Sequence, residues 1–256
     1  MSGLLLRLAG PLQSWGERSA FTTVRDTASF PTRSGLIGML AAAEGIGRDH
    51  GGLDRYDDLR FIIRADRPGQ RLIDYHTVGG GQPKARTAAT SGGSNKGAAV
   101  ITRRHYLSDA VFVVGITTPD DETTTRLAQA LEHPHWAPYL GRRSCVPDEP
   151  LILRRHIADP ENELLTRVPL ALPPPPRNGE DTIDVDFLYE QLPDDTTGKT
   201  DVIDIADIPL SFAQHRRAHA VRRLHRVTRQ LPRRLTGPQS ELQSRLLDYV
   251  RTEESA

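Results

Sequence analysis

Apolar positions along this chain change spacing in a way that marks strands and helices in turn. Gly3 to Ala9 (GLLLRLA) is leucine-rich and alternates only weakly, which predicts a first strand. Ser34 to Ile46 (SGLIGMLAAAEGI) puts Leu36, Leu40 and Ala43 on one helical face, with Gly35, Gly38 and Ala42 small enough for close packing. Ser34 is the expected cap, its hydroxyl accepting from an unpaired N–H of the first turn. Arg60 to Ala65 (RFIIRA) and Ala110 to Thr117 (AVFVVGIT) are short β-rich runs, Glu122 to Leu131 reads as a helix after Pro119, and Leu151 to Arg154 is a short apolar run after Pro150.

The order is strand, helix, strand, strand, helix, strand, with a long insertion between the second and third strands. This predicts an α+β, ferredoxin-like fold of the split βαβ kind, which RNA-recognition modules also use. It assigns residues 1–156 to a first domain. The four prolines from Pro173 to Pro176 make a stiff stop. The remainder, 157–256, is expected to be a smaller β-rich accessory region. Its strands are predicted at Ile183 to Phe187, Val202 to Ile205 and Val221 to Val227, followed after Thr236 by a polar helix with Leu242, Leu246 and Leu247 on one face. No internal repeat is visible.

Composition narrows the class. Of 256 residues, 37% are hydrophobic and 26% charged, so the chain can bury a real core and is neither disordered nor collagenous. A single cysteine, Cys145, excludes an internal disulfide framework and a multi-cysteine zinc site. No run approaches the roughly 18 apolar residues of a membrane span, and Arg7 and Gly10-Pro11 break the leucine run, so a cytoplasmic protein without membrane contact is expected.

Charge changes the picture more. Lys plus Arg is 33 and Asp plus Glu is 33, a balance that hides segregation. Between Asp74 and Asp109 there is no acid, while Lys84, Arg86, Lys96, Arg103 and Arg104 fall there among three glycine clusters. Clustered cations on a Gly-rich segment attract a polyanion, and phosphates release counterions on binding. The competing account is a solvated surface loop. Acids dominate from Glu180 to Asp207, opposed only by Lys199; His215 to Arg234 then carries eight arginines and no acid. Those two blocks either neutralise each other across a hairpin or form a second docking patch.

Catalytic signatures are few. There is no HExxH, P-loop or GxSxG, and the glycine clusters do not open a helix after a strand, so neither metal nor cofactor is expected. One catalytic arrangement stands as an alternative, a metal-free ribonuclease needing a base, an acid and a cation. His76 and His105 at the two feet of the insertion, with Tyr75, Tyr106, Arg103 and Arg104 beside them, hold the required groups. The same residues also serve as plain hairpin feet. Base stacking on the main sheet has little support, because LLLRLA has no aromatic and AVFVVGIT only Phe112.

Three segments, taken in order, resemble one family. They are LLRLAGPLQSWG at Leu5 to Gly16, FPTRSGLIG at Phe30 to Gly38, and YLGRRSC at Tyr139 to Cys145, with Asp74-Tyr75-His76-Thr77 before the insertion and Arg103 to Tyr106 after it. The set resembles the CasD (Cas-five) family of type I-E Cascade subunits in CRISPR defence, and it thins after about residue 160. The resemblance implies a β-hairpin thumb at about residues 76–108. It also implies a non-catalytic role: holding the 5′ handle of the CRISPR RNA and capping the backbone filament. The implied partners are that RNA, the repeated backbone subunit and the large PAM-reading subunit, with target DNA met through the assembled complex.

Candidate RNA contacts follow residue by residue from that resemblance. Gln13, Ser14 and Trp15 either meet a splayed base or form a loop packed on the core. Arg25, Thr32, Arg33 and Ser34 surround a helix N-terminus, where unpaired N–H groups favour phosphate. Arg142 and Arg143 follow Gly141 and either bind phosphate or pair with Asp148 or Glu149. His76, Lys84, Arg86, Lys96, Arg103, Arg104 and His105 belong to the thumb and its feet. Arg104-His105 stands where a Lys-His pair would suit a cutting relative better, since arginine holds its proton too firmly to act as an acid.

Overall fold

The first strand sets the architecture. The computed structural model describes residues 2–17, 23–49, 51–79, 83, 99–174, 181–196, 200–213 and 217–254. In chain order these form β1 (Ser2–Ala9), β2 (Leu12–Gln13), β3 (Val24–Arg25), α1 (Arg33–Ala43), β4 (Arg60–Arg67), β5 (Gln70–Val78), β6 (Val100–Ser108), β7 (Val111–Thr118) and α2 (Asp121–Glu132). There follow β8 (Ile152–Ile157), α3 (Pro160–Thr166), β9 (Thr182–Tyr189), β10 (Thr200–Ser211), β11 (Ala218–Pro232) and α4 (Leu242–Glu254).

β1 is buried at every residue. Side chains alternate across a strand, so Leu4, Leu6 and Leu8 enter one core while Leu5 and Ala9 enter another. A strand covered on both faces has no polar face to show, which is why its sequence alternates so weakly. On the first face Leu36 and Leu40 of α1 and Leu127 and Leu131 of α2 pack with Phe112, Val114 and Ile116 of β7. The opposite face carries Leu164 of α3 and Leu246 of α4 against Val111, Val113 and Leu153. Each fully buried leucine contributes about 1.5–3 kcal/mol.

The main sheet has seven strands in the order β10-β11-β9-β4-β7-β1-β8, antiparallel throughout. Its β8-β1-β7-β4 part holds the predicted strand-helix-strand-strand-helix-strand series. The C-terminal strands do not build a sheet of their own: β9 pairs with β4, from Ile62↔Tyr189 to Ala65↔Asp186, so the accessory region extends the first region's sheet. The acidic block runs over β9, the following loop and the first part of β10, and the basic block is centred on β11, which pairs with both strands. Arg222 binds Asp207, Arg223 meets Asp204 at 3.4 Å, and Arg229 reaches Asp195, so three arginines of the basic block pair with acids of the acidic one, while Arg229 also reaches Glu161 outside it.

A second, smaller sheet stands at the end of the first where β4 finishes and β7 begins. β5 and β6 pair along their whole length, from Gln70↔Ser108 to Val78↔Val100. The other edge of β6 takes β2 antiparallel at Leu107 and Ser108 and β3 parallel at Arg103 and Arg104. The hairpin therefore starts at residue 70, ahead of the expected 76, and His76 lies towards its far end.

Two local expectations need correction. The helix cap is Thr32, whose side chain accepts from the Gly35 N–H, and Ser34 lies inside the first turn of α1. In α4, Leu242 and Leu246 are buried with Tyr249, but Leu247 faces outward. No helix among the described residues is long and apolar enough to cross a membrane.

Candidate nucleic-acid interface

The loop after β1 turns inward. Gln13 is fully buried, and its amide nitrogen donates to the carbonyls of Leu8 at 2.9 Å and Ala110 at 2.8 Å. Its amide oxygen accepts the Trp15 indole N–H at 3.0 Å. The indole packs on α1 so closely that a Cβ on Gly35 would come within 2.8 Å of it. Ser14 donates from its hydroxyl to the His105 carbonyl at 3.0 Å and from its backbone to Leu140 at 3.0 Å. The amide and indole expected to meet a base are thus committed to the protein, and of the two accounts the packed loop holds for all three residues.

The helix N-terminus is committed as well. Arg33 is buried; its guanidinium donates to the carbonyls of Leu59, Tyr56 and Asp57 and to Glu190 at 2.8 Å. Its backbone N–H donates to the Asp207 carboxylate at 2.6 Å. A carboxylate already sits where a phosphate was expected, held by the same dipole and open N–H groups. Thr32 is buried as the cap, and the Ser34 hydroxyl lies 3.4 Å from that of Thr32. These three residues support α1 and do not line an open anion site.

Three other arginines lie at neighbouring positions, with the Arg104 guanidinium donating through Nε to Thr102 Oγ1 at 3.2 Å. Arg25 on β3 lies directly beside Arg104 on β6. Arg142 reaches them from the turn after Gly141, donating through Nη2 to the Arg25 and Asp26 carbonyls at 3.1 and 3.3 Å. Its guanidinium lies over the Tyr106 ring, 4.6 Å from the centroid, a contact that holds the cation in place. The Nη1 nitrogen is buried with no partner among the described residues. A guanidinium nitrogen left unpaired in a buried setting is costly, and an incoming anion satisfies it. Neither Arg142 nor the exposed Arg143 pairs with Asp148 or Glu149 among the described residues.

The turn that presents these arginines depends on its neighbours in sequence. Gly141 has φ +82°, and a Cβ there would lie 1.7 Å from the Ser14 carbonyl oxygen, so only glycine fits. The Cys145 N–H closes the turn on the Arg142 carbonyl at 2.8 Å, and burial pushes the Cys145 thiol above its ordinary range, leaving it an inert anchor. Tyr106, the surface under Arg142, was named in the sequence only as a neighbour of the insertion's foot. The alternation Thr102, Arg104, Tyr106 along β6 is the signal that groups it with the cations.

The hairpin sorts the remaining candidates by face. Directly opposed residues share a face, and successive residues alternate. His76 opposes Thr102 and shares its side with Asp74, Arg104 and Tyr106; its Nδ1 lies 3.5 Å from the Asp74 carboxylate. His105 opposes Ile73 and shares the other side with Tyr75 and Arg103. The two histidines therefore lie on opposite faces, and the acid–base pair suggested by the sequence does not assemble. Lys84, Arg86 and Lys96 lie outside the described residues.

This chain belongs to the Cas5 family of CRISPR-associated proteins, whose model, CRISPR-associated protein (Cas_Cas5), matches residues 3–225. It is 38% identical over 182 residues to the CRISPR system Cascade subunit CasD of Escherichia coli (strain K12), across 66% of this chain and 78% of that one. A solved chain of a CRISPR RNA-guided surveillance complex is 48% identical with TM-score 0.83, covering 97% of this chain and 99% of its own length. A second solved structure, of a Cas protein, is 30% identical with TM-score 0.57, covering 92% of this chain and 97% of its own.

Proposed function

We propose that this protein is a non-catalytic, RNA-binding subunit of a type I-E Cascade surveillance complex, which holds the 5′ handle of the CRISPR RNA and caps the backbone filament in antiviral defence. The observation that carries the reading is the likeness, over 97% of this chain, to a chain of a CRISPR RNA-guided surveillance complex. The β8-β1-β7-β4 order, with α1 and α2 on one face, supports a ferredoxin-like unit, and the β5–β6 hairpin supports a thumb inserted between its second and third strands. Residues 1–156 then form the RNA-binding part and 157–256 an accessory part that widens its sheet.

In this mechanism Arg25, Arg104, Arg142 and Arg143 neutralise handle phosphates, and the buried, unpartnered Nη1 of Arg142 takes a phosphate oxygen once its cover shifts. Lys84, Arg86 and Lys96 add salt-dependent attraction from the thumb. The repeated backbone subunit and the large PAM-reading subunit are the protein partners, target DNA is met through the complex, and the setting is cytoplasmic.

A metal-free endoribonuclease is the second reading. The placement of His76 and His105 on opposite hairpin faces weighs against it. Incubating the chain with labelled repeat RNA in a chelator separates the two: intact RNA is expected, and site-specific cuts abolished by His105→Ala would reverse the assignment. The primary test is purification of the tagged protein from its native cells. Short RNAs sharing one repeat-derived 5′ end, with several copies of one partner, are expected; heterogeneous RNA without stable partners would sink the subunit reading.

A further inference from the structure

The outer face of the β5–β6 hairpin carries a strip of side chains that no part of the proposed mechanism uses. Arg71, Ile73, Tyr75 and Thr77 are exposed on β5, with Tyr75 at 63% and Ile73 at 60%, while the alternate residues Asp74, His76 and Val78 are half-buried. Across the strand gap Ile101 and Arg103 are exposed and His105 is half-buried, whereas Thr102 and Tyr106 on the other face are buried. From residue 73 to 78 the hairpin thus has a more covered side and a more open one, although Leu72 opposite Tyr106 is also exposed and Leu107 on the open side is buried.

Register fixes what the open side offers. Tyr75 directly opposes Arg103, Ile73 opposes His105, and Thr77 opposes Ile101. Opposed Cβ atoms in such a pair lie about 4.5–5.5 Å apart, and His105 is the diagonal neighbour of Tyr75 within reach of an aromatic ring. A phenol ring, an imidazole and a guanidinium therefore stand side by side, flanked by Ile73 and Ile101. Val24 of β3, also exposed, borders Arg103 on its far side.

We infer that this face is a base-stacking platform for single-stranded RNA, with Tyr75 as its central ring and Arg103 as its phosphate or stacking cation. The inference rests on the RNA-binding reading given above and adds to it a second surface, on the hairpin face opposite the Arg25–Arg104–Arg142 cluster. Two observations favour RNA over a protein partner. The chain has no acid from Tyr75 to Ser108, so the surface attracts an anion. The π-bearing residues Tyr75 and His105 also both neighbour the Arg103 cation, Tyr75 opposite it and His105 two residues along β6, the mixture on which single-stranded nucleic acids stack whatever their sequence.

The central strands of the main sheet lack the aromatics of an RNA-recognition platform, and they are buried under helices on both faces. The stacking surface lies instead on the second sheet, whose strands the sequence hid inside a glycine-rich insertion.

The test uses the full chain, a fluorescently labelled single-stranded repeat RNA and anisotropy titrations at several salt concentrations. Tyr75→Ala should weaken binding about 5- to 150-fold, the range of one lost stack, and leave the salt slope unchanged. Tyr75→Phe should retain wild-type affinity. Arg103→Ala should lower the slope of log K against log salt by about one contact. Because Tyr75 is exposed, these variants should melt with the wild type. Should Tyr75→Ala bind RNA like wild type while Arg142→Ala loses affinity, the platform is refuted and RNA binding through the arginine cluster survives. Unchanged RNA affinity together with loss of a co-purifying subunit would hand the face to a protein and likewise overturn the inference. Absence of RNA binding by the unaltered chain, both alone and in its assembled complex, would overturn the functional reading itself.

Discussion

The Asp207 carboxylate accepts the backbone N–H of Arg33 at 2.6 Å, joining residues 174 positions apart. Asp207 also receives two bonds from Arg222, at 2.6 and 2.8 Å, while Glu190 receives one from Arg222 and one from Arg33. With the Arg33 backbone N–H as one link, the four residues close a ring at the start of α1, fastening the β10–β11 extension to the helix. Such a ring is held by hydrogen bonds at short range, and its buried members depend on one another.

Removing the centre of that ring should be severe. Asp207→Ala leaves Arg222 half-paired in a buried position and the helix N–H open, so a loss of about 3–5 kcal/mol is expected. Asp207→Asn keeps an acceptor for the N–H and should lose less. Urea unfolding of the full chain checks both, with a drop in midpoint at an unchanged slope as the expected result.

Gln13→Ala should behave as a core variant. It strands the Leu8 and Ala110 carbonyls and the Trp15 indole N–H, each costing about 1–3 kcal/mol when left unpaired. The folded fraction should bind repeat RNA like wild type, because Gln13 is sealed from solvent. A variant with normal stability and weakened RNA binding would return Gln13 to the interface.

These two cases show what the sequence could and could not disclose. The order of β1, α1, β4, β7, α2 and β8 was legible because leucine-rich, β-rich and 3.6-period runs carry it directly. The residue pattern alone hid β5 and β6, which sit astride a Gly-rich segment and entered only through the family resemblance, and it hid α3, which is short. Arg33 and Asp207 look like a free cation and a free acid until the fold places them together. Gln13 and Trp15 are polar-tipped residues whose role depends on which way a loop turns, and only packing decides that. Arg25, Arg104 and Arg142 were each legible as cations, while the placement of Arg142 over Tyr106 and beside Arg25 needed the turn at Gly141.

Stability should also carry a pH signature at His219. Burial is the main cause that pushes its pKa below the ordinary value, aided by the Arg217 charge and opposed by Asp207. The unfolded chain therefore binds a proton at this site at a pH where the folded chain does not, and stability rises with pH there. The contribution should be complete above about pH 6.5 and fade as pH falls through and below that value. His219→Gln should flatten that part of the melting temperature profile; an unaltered slope would assign the effect to other groups.

Arg142 offers the sharpest test of the interface. Its guanidinium spends Nη2 on two backbone carbonyls and its face on Tyr106, which leaves Nη1 for an anion. A lysine has one compact ammonium and cannot hold the carbonyls, cover the ring and reach a phosphate together. Arg142→Lys should therefore lose RNA affinity almost as far as Arg142→Ala, despite keeping the charge. Both should weaken binding across different RNA sequences, and Arg142→Ala should reduce the salt slope by about one. Tyr106→Leu keeps an apolar side chain in the buried position but removes the ring under the cation, so it should weaken binding while leaving the slope intact. If Arg142→Lys binds like wild type, the arginine cluster acts only through diffuse charge, and the held geometry at Tyr106 contributes nothing to recognition.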